Sequence, residues 1–262
     1  KIAHQKEHRQ FATNSFVGYL HSEQGPGTLF YIQLSRTLND WDRNMVEIFC
    51  ATVKSAYINL VLSHDVESTQ RELIYALGEV AEARSQETGY HVKRVSEYAR
   101  LFGELLHLDA SEIDLLALAS PVHDIGKLTI PDAILNKPSS LTSEEFDIIK
   151  THTTAGNEIL KGSNRLILRT AALIAMQHHE KWDGSGYPIG LKGEEIHLYG
   201  RIVALCDVFD ALSSNRVYKD AWPMEKIINY IGEQKGKQFD PNLVDLFLDH
   251  TQRFITIHDT FR

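Results

Sequence analysis

Eight side chains able to ligate a metal ion are spread through the second part of this sequence: Glu87, His91, His123, Asp124, His152, His178, His179 and Asp207. Glu87 and His91 stand four residues apart in a helical pattern and so share one face. His123-Asp124 follows the apolar run Leu115–Val122 and precedes Ile125-Gly126-Lys127, while His152 is expected at the end of the next helix. His178-His179 closes the apolar segment Ile167–Met176, and Asp207 is the lone charge in the run Ile202–Leu212 until Asp210. A carboxylate among Val, Leu, Cys and Phe needs a charge partner, and adjacent imidazoles at a buried helix end need something to satisfy their nitrogens. Any one of these histidines alone reads as an ordinary core residue; the set does not. A six-coordinate ion takes six donors, some of which must be water for hydrolysis. Eight groups therefore overfill one ion and suit two or three, with carboxylates bridging. Imidazole and carboxylate without thiolate favour iron or manganese over structural zinc.

Cations and a turn surround this set. Lys127 follows the His123-Asp124 pair closely enough to contact a phosphate or protonate a leaving group, and Arg216 and Lys219 follow the Asp207 segment. The net charge is -8, so a dianionic substrate requires such a local cluster, and a general nucleic-acid surface is excluded. In His178-His179-Glu180-Lys181-Trp182-Asp183-Gly184-Ser185-Gly186-Tyr187-Pro188, Gly184 and Gly186 allow positive φ and so a tight fold of the backbone beside the histidines, with Pro188 stiffening the exit. Glu180, Trp182, Asp183 and Asp210 are expected to fix the turn or orient histidines.

His123-Asp124 with Asp207 resembles the HD phosphohydrolase signature, and the stretch from His178 through Gly186-Tyr187-Pro188 is similar to the extended motif of the HD-GYP subfamily. The resemblance covers about residues 70 to 250. It implies an all-α, metal-dependent phosphodiesterase that hydrolyses cyclic di-GMP to pGpG or GMP with a metal-bridged hydroxide. It also implies all eight residues as ligands, with Asp124 bridging two ions. Glu87 distinguishes a third ion, against a rival reading in which it only orients His91. By the same resemblance Asp124 and Lys127 are catalytic, and Lys127, Gly186, Tyr187, Pro188, Arg216 and Lys219 bind substrate. His197 stands where the family pattern has Pro.

Three function classes compete: an active cyclic dinucleotide phosphodiesterase, a silent cyclic di-GMP receptor, and a hydrolase of some other phosphoester. None of the eight ligands nor Lys127 is missing, which disfavours the receptor. A mononucleotide hydrolase has no need of the Gly-Tyr-Pro turn with Arg216 and Lys219. Cyclic GMP-AMP is the alternative substrate.

The elements that must position these groups read as mainly α. Residues 68–262 form a bundle of about seven helices, with capping boxes at Asp109–Glu112 and Thr142–Glu145. Residues 1–67 form a small α+β regulatory fragment. Its two short strands, Phe16–Leu20 and Thr28–Leu34, flank a Gly25-Pro26-Gly27 turn. A helix capped by Asn39 or Asp40 runs to about His64, and Ser68–Arg84 continues it as a connecting helix. The fragment resembles the end of a GAF-like sensor fold or the uncharacterised linker domains preceding HD-GYP in some response regulators. Phe49, Val53, Ala56 and Leu60 form a stripe suited either to packing or to a homodimer. No apolar run is expected to span a membrane, and Cys50 and Cys206 are expected as free thiols in a cytoplasmic protein. The chain starts at Lys1 and is read as a piece of a longer protein with an upstream receiver or sensor domain.

Overall fold

A computed structural model of the chain describes residues 9–22, 25–85, 90–214 and 221–261. It divides into two compact units, Lys1–Gln70 and Arg71–Arg262.

In the first unit, β1 (Arg9–Phe11), β2 (Ser15–Ser22) and β3 (Gly25–Gln33) form an antiparallel sheet in the order β1-β2-β3. The sequence shows two strands and not β1, because three residues, two of them polar, carry no alternation. β3 begins at Gly25, paired with Ser22, so the glycine pair belongs to the strand and not to a turn. Phe30 and Ile32 alternate onto the face that holds Phe16, and Val46 and Cys50, four apart on the following helix, complete this small core. That helix, α1 (Asp40–Arg84), opens on a reciprocal cap. Asn39 Oδ1 accepts from the Asp42 N–H at 2.9 Å, and Asp42 Oδ2 accepts from the Asn39 N–H at 3.0 Å. It runs 45 residues without a break, since His64–Ser68 contains neither Gly nor Pro. One 18-residue window of α1 reaches a mean hydropathy of 1.5, long and apolar enough to cross a membrane by length and composition. This corrects the expectation of no such run. Its apolar residues are spread around the helix with Glu47 and Lys54 among them, and Phe49, Leu60 and Leu62 lie exposed.

The second unit is helical: the end of α1, then α2 (Tyr90–Leu105), α3 (Ala110–Ala119), α4 (Asp132–Leu135), α5 (Ser143–Leu160), α6 (Leu166–Gln177), α7 (Leu198–Ser213), α8 (Met224–Glu233), α9 (Pro241–Asp249) and α10 (Thr251–Thr260). Two elements exceed the expected seven. α4 is a single turn, and the last predicted helix divides at His250, whose φ of -122° leaves the helical region. α5 continues past His152 although Thr153, Thr154 and Gly156 are poor helix formers; Gly156 packs against Ala175 of α6, and that contact overrides propensity. The core centres on rings packed edge to face or tilted: Tyr98 to Phe209 at 5.1 Å, Phe102 to Phe254 at 4.8 Å and Phe209 to Phe247 at 5.1 Å between centroids. Each ring contributes about 2 kcal/mol of burial. α2, α5, α6 and α7 thus become fixed rails for whatever projects from them.

Candidate metal centre

Three of the expected histidines share one device. The Nδ1–H of His123 donates to the Ser120 carbonyl at 2.9 Å, that of His152 to Ile149 at 2.7 Å, and that of His178 to Ala175 at 3.0 Å. A carbonyl only accepts, so each Nδ1 carries the proton and each Nε2 lone pair is aimed away from its own helix. They are aimed at one another. His152 Nε2 lies 3.4 Å from His178 Nε2, and Asp124 Oδ1 stands 3.1 Å and 3.4 Å from these two nitrogens. Lone pairs facing lone pairs and a carboxylate are unfavourable unless a cation sits among them. His123 Nε2 and Asp124 Oδ1 are also buried without a hydrogen-bond partner among the described residues. The donor set therefore fits a metal ion.

The ligand atoms fall into two neighbouring groups. Asp124, His152, His178 and His179 form one; Glu82, His91 and His123 form the other, and within each the atoms lie inside 4.8 Å. Asp124 Oδ2 lies 3.4 Å from His123 Nε2 and so joins them. Asp207 Oδ1 stands 3.8 Å from His91 Nε2 and 3.9 Å from His123 Nε2, beside the second group. The structure thus brings together seven of the eight expected ligands. Glu87, like Arg216 and Lys219, lies outside the described residues.

The electrostatics match. Burial works against the Asp124 carboxylate, yet the Lys127 ammonium at 2.7 Å and then His123 hold its pKa well below the ordinary value. Burial lowers the pKa of His178, and burial with its neighbour His178 takes that of His179 well down, so both stay neutral as ligands must. Burial also disfavours charge on His123, but Asp124 and Asp207 outweigh it and raise its pKa to about 9.

Several local features hold the geometry. A Cβ on Gly126 would come within 1.8 Å of the His152 carbonyl oxygen, so only glycine lets the turn after Asp124 press against α5. Arg84, at the end of α1, donates to the Leu128 and Ile130 carbonyls of that same turn. Asp210 accepts from His91 Nδ1 at 2.8 Å and from Arg94 at 2.6 and 2.8 Å, which orients His91 as expected for Asp210. The buried Glu180 accepts from the N–H groups of Ile189, Gly190 and Leu191, and Asp183 Oδ1 accepts from the Ser185 N–H. Glu180 and Asp183 fix the turn and loop rather than orienting a histidine. Gly184 has φ +85° as expected, whereas Gly186 does not have positive φ. Gly186 is required for space, since a Cβ would meet the Lys181 nitrogen at 2.3 Å. Tyr187, joined to Pro188 by a cis peptide, lies against His179 at 4.9 Å between ring centroids. His197 caps α7, its Nδ1 accepting from the Tyr199 N–H at 3.1 Å.

Glu82 is the residue that the spacing argument missed. It is buried, belongs to the His91 and His123 group, and its Oε2 lies 3.3 Å from Lys127 Nζ. The signal was present: Ile74, Gly78, Ala81 and Glu82 fall on one face of α1, and a carboxylate on a buried face needs a partner.

Residues 72–243 match the family described as HD domain. This chain belongs to the HD domain family. Among HD domain proteins it is an HD-GYP member, as its Gly186-Tyr187-Pro188 turn indicates. It is 43% identical over 244 residues to 3'3'-cGAMP-specific phosphodiesterase 2 of Vibrio cholerae, covering 93% of this chain and 47% of that protein. It is 44% identical over 189 residues to the cyclic di-GMP phosphodiesterase response regulator RpfG of Xanthomonas campestris pv. campestris, covering 72% and 50%. The chain therefore spans about half the length of these curated relatives. In fold it is similar to Bd1817, an HDG"Y"P protein from Bdellovibrio bacteriovorus. That likeness has a TM-score of 0.50 at 16% identity and covers 92% of this chain and 94% of the other. Residues 1–66 match a domain of unknown function, DUF3369. That is the uncharacterised kind of region expected beside HD-GYP, and the GAF-like alternative finds no support.

Proposed function

We propose that this HD-GYP unit is a metal-dependent cyclic dinucleotide phosphodiesterase, with cyclic di-GMP as substrate and pGpG or GMP as product. One observation carries the reading. The Nε2 atoms of His152 and His178 and the Oδ1 of Asp124 converge within 3.4 Å, with both Nδ1 protons committed to backbone carbonyls. In this reading His91, His123, Asp124, His152, His178, His179 and Asp207, with Glu87, would hold two or three ions of iron or manganese, with Asp124 placed to serve both ligand groups. Such ions, when bound, neutralise phosphoryl charge and acidify water. Lys127 donates from Nζ to the phosphate or to the leaving oxygen. Arg216 and Lys219 grip the second phosphate, and Gly186, Tyr187 and Pro188 line the substrate's path. Anaerobic purification with metal analysis, then product analysis on cyclic di-GMP, tests this. Bound iron or manganese and conversion to pGpG or GMP are expected; a metal-loaded protein that leaves the substrate intact refutes it.

Cyclic GMP-AMP is the second reading, favoured by the relative that matches 93% of this chain and is named for that nucleotide. The same assay run on both nucleotides separates the two.

We further infer that the chain works downstream of a receiver or sensor domain, since it spans about half of its relatives and one of these is named a response regulator. The exposed Leu73, Leu77 and Val80, spaced four and three apart on α1, suit a homodimer seam. The two buried free cysteines suit the cytoplasm.

A further inference from the structure

A line of rings leads outward from the candidate metal centre. His178 and His179 are 4.1 Å apart between centroids, His179 and Tyr187 are 4.9 Å apart at 31°, and Tyr187 meets Phe146 of α5 at 6.3 Å, nearly perpendicular. The inner end of Tyr187 belongs to the centre, its ring lying against that of His179. The outer end is open, for Phe146 is 47% exposed. The buried residues of α5 are His152, Thr153, Gly156 and Leu160, so core packing does not explain a large ring at position 146. Lys150, one turn further along α5, holds Nζ 5.2 Å from the centre of the Phe146 ring and 5.9 Å from that of Tyr187, and pairs with the exposed Asp147.

We propose that Phe146, Tyr187 and Lys150 form a guanine-binding subsite contiguous with the metal centre. The proposal rests on the phosphodiesterase reading above and adds to it the groups that read the base. A phosphate held beside Asp124 and Lys127 carries its base one sugar away, and Tyr187 touches His179 of the centre on one side and Phe146 on the other. Every base has a π face, so an exposed ring supplies affinity without sequence preference. The ammonium supplies the preference. Guanine presents O6 and N7 as adjacent acceptors, whereas adenine replaces O6 with an amino donor that a cation does not favour.

The test uses calorimetric titration of GMP and AMP into the full chain loaded with Mn²⁺, alongside hydrolysis of bis(p-nitrophenyl) phosphate, which carries no purine. Phe146→Leu keeps an apolar side chain and removes the π face. It should weaken GMP binding about tenfold while metal content holds, and Phe146→Trp should restore affinity. Lys150→Met should bring GMP and AMP affinities to within about twofold of each other. Equal GMP affinity in wild type and Phe146→Leu, or loss in Phe146→Trp as well, overturns the subsite. A wild type that does not distinguish GMP from AMP overturns the role of Lys150. The catalytic reading fails separately, if the Mn²⁺-loaded wild type hydrolyses neither the simple diester nor a cyclic dinucleotide.

Discussion

Oε2 of Glu82 lies 3.3 Å from Nζ of Lys127, which in turn stands 2.7 Å from Oδ2 of Asp124. A lysine between two carboxylates, with the Ser85 hydroxyl 3.4 Å away, is held in one place. Its flexible four-carbon stem would otherwise sample many.

If Glu82 acts by placing Lys127, the two residues must not contribute independently. Lys127→Met should lower kcat about 100-fold with metal retained, as for loss of a proton donor or phosphate contact. Glu82→Gln should lower it about tenfold, and the double variant should be no worse than Lys127→Met alone. Steady-state kinetics of the four proteins on cyclic di-GMP check this. Effects that multiply would show that Glu82 works by another route.

The pair formed by Arg94 and Asp210 supports His91 and is nearly dry, with side chains 4% and 2% exposed. Asp210→Asn strands the Arg94 charge and should cost on the order of 3 kcal/mol at pH 5. Burial opposes the carboxylate, but Arg94 and His91 lower its pKa from 3.8 to about 2. A depressed carboxylate gives stability that is present above its unfolded pKa and lost as pH falls through the folded value. The difference between wild type and variant should therefore shrink by about 1 kcal/mol from pH 5 to pH 3. Urea denaturation of chelator-treated protein measures it; a difference that grows on acidification would contradict the assignment.

Leu73 and Leu77 are 59% and 48% exposed on the long helix, and lysines there should oppose any pairing of two copies. Sedimentation equilibrium should show a dimer for wild type and a monomer for Leu73→Lys with Leu77→Lys. A wild-type monomer at all concentrations would remove the seam.

Much of this was legible in the sequence, and the reasons differ by element. The helices came through because their apolar residues recur with helical period and their starts carry caps, as at Thr142, whose hydroxyl accepts from the Glu145 N–H. The site residues came through because imidazoles and carboxylates in apolar runs have few structural uses. β1 was silent because it is short and polar, and the continuation of α5 depends on Gly156 meeting Ala175, which no local propensity encodes. Gly186 meets a spatial requirement rather than a conformational one, set by the Lys181 backbone folded over it. Glu82 was hidden for a similar reason. Helical spacing relates residues along one helix, and its partners His91 and His123 lie on other segments.

Diester hydrolysis by this chain is proposed to depend on ions held by the histidines and Asp124. The most direct measurement compares wild type with the variant in which His123 and Asp124 are both alanine. Metal content is read by mass spectrometry, helicity by circular dichroism, and the product from cyclic di-GMP by chromatography. Wild type should retain at least two ions per chain and yield pGpG or GMP, while the variant keeps its helicity, loses metal and shows no turnover. Turnover in the double variant within tenfold of wild type would rule out a metal-dependent mechanism at this site.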